Sequence, residues 1–156
     1  MKRREFLTAD RTYYVRLDGS NSNDGLSDTP SGAFRTIQAA INHVATNVDP
    51  NTKFVTIQIA PGSYGEVNTL LPHIGTRWIT IQGTATHGEV VNAQFNSFGG
   101  QRWIIKNLTL DAPTGQTCIY AQKYGTIELQ NVQFNRALMA HINVQCGSQI
   151  VINGDY

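Results

Sequence analysis

Apolar residues return at a fixed interval through the last two-thirds of this chain. Val55, Ile79, Trp103 and Ile127 stand 24 residues apart, and Ile150 follows after 23. Two positions on, Ile57, Ile81, Ile105, Leu129 and Ile152 repeat those spacings, and a polar series, Gln58, Gln82, Lys106, Gln130 and Asn153, runs beside them. Leu108 pairs with Val132, Leu110 with Phe134 and Asn107 with Asn131, and a second apolar column runs through Leu71, Phe95 and Ile119. A period of this length, with alternation inside each unit, describes a solenoid whose every turn adds one rung. Alternation makes each rung a strand with one buried face. Successive rungs run the same way, so the sheets are parallel, and the rest of each turn supplies further strands and corners. The expected fold is therefore all-β: a right-handed parallel β-helix of about five rungs, roughly 20–25 Å tall.

The 156 residues divide on the same grounds. Residues 1–12 are polar and aperiodic, an N-terminal arm. Residues 13–52 hold a short strand at Tyr13–Leu17, a turn-rich loop, and a capping helix. In that helix Ile37, Ala40, Ile41 and Val44 follow the i, i+3, i+4, i+7 template behind a Thr36 N-cap, which predicts a helix over 36–46. Residues 53–156 are the rungs. The helix covers the N-terminal end of the stack, while the other end calls either for more chain or for another subunit, because an uncovered rung exposes apolar side chains and unpaired backbone.

Charged residues make up 15% of the chain, against about 25% in soluble domains, and the net charge is +1. Polarity comes instead from Asn, Gln, Thr, Ser and 14 Gly, residues that suit turns and stacked ladders. Such a balance argues against a nucleic-acid groove, although Lys2, Arg3, Arg4, Arg11 and Arg16 gather basic charge at one end. No apolar run reaches the ~18 residues of a membrane span. Lys2-Arg3-Arg4 lacks the apolar run of an export signal behind it. Cys118 and Cys146 lie out of column and read as reduced packing residues, which points to folding in the cytosol.

Few residues present chemistry. Asp18-x-Ser20-x-Ser22-x-Asp24-Gly25 imitates a calcium loop, but Thr29 stands where a bidentate Glu is needed, so Asx-turns are the expectation. His43, His73, His87 and His141 share no column and read as surface or turn residues, and neither a metal nor a cofactor is expected. Glu66 and Glu89 lie one step off a common column on adjacent turns, a spacing open to acid–base work. The simpler reading is that Glu66 closes a turn and Glu89 is solvated at a corner, with no catalytic residue in the chain. Phe54, Trp78, Arg102, Thr126 and Gln149 flank an inward column and so point outward. Trp78 and Arg102 then become rung neighbours suited to guanidinium–indole stacking. Phe54, Trp78 and Arg102 are open to three roles: a subunit interface, packing under a loop, or a saccharide site.

Tyr13-Tyr14-Val15, Asp18-Gly19-Ser20-Asn21-Ser22-Asn23-Asp24-Gly25-Leu26 and Gly32-Ala33-Phe34-Arg35-Thr36-Ile37-Gln38-Ala39-Ala40-Ile41 resemble the opening segment of pectin-lyase-like β-helix proteins. The version they resemble is that of bacteriophage and prophage tail fibres and tailspikes, and the likeness covers residues 13–64. The resemblance implies a homotrimeric virion tail module, made in the host cytoplasm, that takes part in host-surface polysaccharide recognition. Lys2, Arg3, Arg4 and Arg11 would then join it to other tail proteins. Phe34-x-Thr36-Ile37-Gln38-x-Ala40-Ile41 and Gly62-Ser63-Tyr64-Gly65-Glu66 also resemble the opening of pectin methylesterases. That likeness keeps open a carbohydrate-active lyase or esterase whose active rungs lie beyond these residues, and the fold also serves extracellular adhesins.

Overall fold

The computed structural model describes residues 3–65, 67–75, 77–84, 90–91, 94–99, 102–112, 117–137 and 139–153. Its N-terminal end is built from β1 (Glu5–Phe6), β2 (Arg11–Val15), α1 (Ile37–Asn47), β3 (Val48–Asp49) and β4 (Val55–Ile59). The chain then coils through β5 (Val67–Leu70), β6 (Ile79–Gln82), β7 (Val90–Val91) and β8 (Gln94–Phe98). A further turn comprises β9 (Arg102–Lys106), β10 (Thr109–Ala112) and β11 (Ile119–Gln122). Another comprises β12 (Thr126–Gln130), β13 (Gln133–Ala137) and β14 (Ile142–Val144), and β15 (Gln149–Asn153) follows.

Three parallel sheets climb this coil. The longest runs β2-β4-β6-β9-β12-β15, the second β5-β8-β11-β14 and the third β7-β10-β13. Three turns thus give a strand to every sheet, and the fold is a parallel β-helix. Register on the long sheet follows the sequence repeat: Val55, Ile79, Trp103, Ile127 and Ile150 are successive partners. Burial alternates along β4, β6 and β12, with the repeat residues inward. Each buried Ile or Leu withdrawn from water contributes roughly 1.5–3 kcal/mol, so the stacked column is the main source of stability. Trp103 is fully enclosed in it.

The corners have their own ladder. Asn107 and Asn131 both take left-handed backbone, at φ 55° and 51°, and the Asn131 amide donates to Asn107 Oδ1 at 3.3 Å. Asparagine tolerates that region because its short polar side chain bonds locally, which is why the pair recurs at the expected spacing.

The helix agrees with its sequence template to within a residue. Thr36 caps it, accepting from the Ala39 amide, and Ile37, Ala40, Ile41, Val44 and Ala45 are buried against the end of the coil. In the loop before it, Asn21 Oδ1 accepts from the Arg35 and Thr36 amides, and Asp24 Oδ1 accepts from the Leu26 amide as an Asx-turn. Arg16 bonds both Asp18 and Asp28, which holds the Asp18 carboxyl below its usual range through that hydrogen bond. Gly25 sits at φ 77° with the Phe34 ring where a side chain would start. Only glycine fits there.

Several expectations need correction. Residues 3–12 lie on the fold and do not stand apart as an arm. β1 pairs in parallel with β3, Leu7 is buried, and the Arg4 guanidinium donates to Ala45 O at 2.6 Å in the last turn of α1. That helix end carries unpaired carbonyls, which attract a cation. The first strand of the long sheet is Arg11–Val15 in place of Tyr13–Leu17, because the chain turns at Arg16, whose carbonyl accepts from the Gly19 amide. Leu71 does not belong to the Phe95–Ile119 column. Phe95 pairs with Asn68, 27 residues back, because the connection between β5 and β6 is longer than those between β8 and β9 and between β11 and β12.

His73 is buried and not superficial. Its ring stands edge-on to Trp103 at 5.4 Å, and its nitrogens lie against the carbonyls of Ile74 and Arg102. His43 is half-buried between the rings of Tyr13 and Phe34, while His141 is exposed and stacks on Phe134. Cys118 is the buried packing residue expected, whereas Cys146 is exposed on a left-handed turn.

Candidate functional site

The outer surface of the long sheet carries the residues singled out in the sequence. In-register stacking sorts its outward side chains into three columns. The first starts with Phe54 and continues through Trp78, Arg102, Thr126 and Gln149, one residue before or at the start of each strand. The second holds Thr12, Thr56, Thr80, Ile104, Glu128 and Val151. The third holds Tyr14, Gln58, Gln82, Lys106, Gln130 and Asn153.

Phe54, Trp78 and Arg102 come together as the alternation requires. Phe54 is 53% exposed, Arg102 is exposed and Trp78 half-buried. The guanidinium of Arg102 lies over the Trp78 ring, 5.6 Å from its centre. A second pair was not foreseen: Arg77 lies over Phe54 at 4.8 Å, with its Nε donating to Thr52 O at 3.2 Å. Strict alternation would turn Arg77 inward, but it precedes β6, where the pleat does not yet constrain it. Each exposed stack is worth about 0.5–1 kcal/mol. The greater consequence is positional, since two long cationic side chains are held in place over flat rings.

The third column is an amide ladder. Gln82 Nε2 donates to Gln58 Oε1 at 2.8 Å, and Gln58 Nε2 donates back to Gln82 O at 3.3 Å. Higher in the stack, Glu128 Oε1 accepts from both Gln130 and Asn153 at 2.7 Å. Charge is therefore uneven over the face. Arg77, Arg102 and Lys106 form no ion pair among the described residues, whereas Arg11 pairs with Glu5 and Arg16 with Asp18 and Asp28.

The other candidates are scattered. Arg3 is exposed, but Arg4 is committed to the end of α1 and Arg11 to Glu5; Lys2 lies outside the described residues. Glu66, Glu89 and His87 also lie outside them. Among the described residues, no group of three or more His, Cys, Asp or Glu side chains is placed to hold a metal ion. No described helix is long and apolar enough to cross a membrane. Burial pushes the Cys118 thiol up to about 11, with the charge of Asp111 adding to the effect, so it stays a protonated packing group. A concavity between the loop and α1, lined mainly by Asn21, Asn23, Asn42, His43, Thr46 and Asn47, carries no fixed charge.

Fold and face together define a parallel β-helix with an aromatic and cationic strip along its longest sheet. No family model matches the chain, and neither a curated protein nor a solved structure matches it.

Proposed function

We propose that this chain is a structural and receptor-contacting module of a phage-type tail fibre or tailspike. In this reading the β-helix is a rigid stem and its long outer face contributes to host-surface glycan recognition, with no reaction performed by these residues. The supporting observation is the strip of Phe54, Trp78, Arg77 and Arg102 beside an amide ladder. Aromatic side chains that carry guanidinium groups on their faces, next to amides that bond hydroxyls, give a saccharide apolar edges and fixed hydrogen-bond donors to rest on. The sequence likeness of residues 13–64 adds the rest of the proposal: a homotrimer within the virion tail, made in the host cytoplasm and joined to other tail proteins through its N-terminal segment, where Arg3 remains exposed.

The test is native mass combined with incubation on capsular, pectic and lipopolysaccharide glycans. A trimer that retains one of these glycans and releases neither reducing ends nor unsaturated uronates is the expected result. A monomer that turns a glycan over would replace the stem reading with the carbohydrate-active enzyme.

A further inference from the structure

We infer that the glycan taken by this face is acidic, a sugar chain bearing carboxylate or sulfate groups, with Arg77 and Arg102 as its anion contacts. This rests on the glycan-contacting reading above and adds the charge of the ligand to it.

Shape is the first argument. The middle column of the face is short where it passes Thr56 and Thr80, while the columns on either side carry Phe54 and Trp78, and Gln58 and Gln82. Small hydroxyl side chains between longer ones make a shallow trough over the Thr56 and Thr80 rungs, closed by Ile104 on the rung that carries Arg102 and Lys106. Columns four residues apart on a strand are separated by roughly 13 Å, which admits a single glycan chain. Rungs at ~4.8 Å present ring, ring and guanidinium in succession along one wall.

Charge is the second. Two half-buried arginines at the N-terminal end, Arg11 and Arg16, are matched to acids, whereas the exposed Arg3 and Arg35 pair with none among the described residues. On this wall both arginines are held over aromatic rings instead, and Lys106 stands on the opposite wall. A guanidinium stacked on a ring keeps its in-plane N–H donors for another partner, and paired donors of that kind fit oxyanions. Arg77 has its Nε tied to Thr52 O, so its remaining donors are pre-aimed and little freedom is lost on binding. Three cations around one trough repel each other weakly in the free protein, and an anionic ligand relieves that repulsion. Two acids border the face: Glu128, one rung beyond Arg102, is engaged by Gln130 and Asn153, and Asp10, in register with Phe54, accepts from the Phe54 amide through Oδ1.

The experiment is calorimetric titration of the full chain with oligogalacturonate, its fully methyl-esterified form, dextran sulfate and neutral dextran. Binding of the carboxylated or the sulfated ligand that weakens with added salt, and that is at least about tenfold stronger than binding of the neutral ligands, is expected. Which of the two charged ligands binds then identifies the anionic group. Arg102→Gln and Arg77→Gln should each weaken that binding by about tenfold, the scale of one charge-assisted contact, and Arg16→Gln should leave it unchanged. Arg102→Lys, which keeps the charge and loses the planar donors, should fall between. Circular dichroism confirms that each variant is folded. Neutral and charged ligands bound alike would overturn the acidic assignment and leave the glycan reading standing. Charged ligands bound alike by parent, Arg77→Gln and Arg102→Gln would show diffuse polyanion attraction and overturn the site. Retention of a host glycan with none of the four ligands bound would overturn the acidic assignment alone; failure with host glycans as well would remove both.

Discussion

β4 and β15 occupy the same place in the coil, and their fates differ. In β4, Val55, Ile57 and Ile59 are shut away from water while Thr56 and Gln58 are half-buried. In β15 the corresponding Ile152 is 45% exposed and Val151 39% exposed. Both strands sit in the same parallel register with a neighbour. What differs is that β4 lies between β2 and β6, with α1 packed nearby, whereas β15 is paired only with β12 among the described residues. Alternation along a strand settles where a side chain points; burial comes from the rungs stacked above and below. A solenoid repeat therefore encodes orientation in every copy and stability only where copies are sandwiched.

The most severe break in that scheme is at Trp103, which lies inside the sandwiched region. Trp103→Ala should cost about 3–5 kcal/mol, read by denaturant unfolding, because no neighbouring rung can collapse into so large a space. Trp78→Ala, on the outer face of the adjacent rung, should stay within ~1 kcal/mol, the scale of one exposed cation–π stack. Equal losses at the two tryptophans would mean that inner and outer faces are wrongly assigned.

The two rungs can then be compared with one substitution. Ile57→Ala should destabilise by roughly 2–5 kcal/mol, and Ile152→Ala by under about 1 kcal/mol, although both occupy the same column. A large loss at Ile152 in the isolated chain would show that this rung is covered after all.

Much of this contrast is legible in the sequence, and the parts that are not have definable causes. The period fixes the long sheet because two inward residues per strand recur at a nearly constant interval, so the register of Val55, Ile79, Trp103, Ile127 and Ile150 follows. It does not fix the corners. The turn that carries β5 onto β8 is three residues longer, and Leu71 is thereby misplaced while Asn68 takes a buried position. β1 has two residues, too few for any periodicity, so the docking of Leu7 and Arg4 leaves no local signature. His73 packs on Trp103 from thirty positions away, a contact that no spacing rule reports. At the candidate site, Trp78 and Arg102 were foreseeable from alternation. Arg77 was not, because it sits just outside a strand.

The cysteines give a smaller-scale version of the same comparison. Cys146 on its exposed turn should react with a thiol reagent in the native protein, and Cys118 only on unfolding. Because the folded Cys118 thiol titrates above its ordinary 9.0, at about 11, the folded state holds its proton more tightly than the unfolded state. Its contribution to stability is therefore complete below pH 9.0 and is lost as pH rises through about 11. Unfolding midpoints of parent and Cys118→Ala followed across that range should converge. Parallel curves would mean that the thiol is not enclosed.

Parallel, in-register stacking of the outer columns underlies both the fold and the proposed site, and a disulfide ruler measures it. In a Cys146→Ser background, Thr56→Cys is combined with Thr80→Cys or with Ile104→Cys, residues on the next rung and the one after it in the same column. Adjacent rungs bring backbones to ~4.8 Å, within the 4.4–6.8 Å of a disulfide, and alternate rungs to ~9.6 Å, beyond it. Mild oxidation should close the Thr56→Cys/Thr80→Cys pair nearly completely and leave the Thr56→Cys/Ile104→Cys pair as free thiols in the folded protein. Closure of the second pair, or none in the first, would contradict the β-helix register on which the whole account stands.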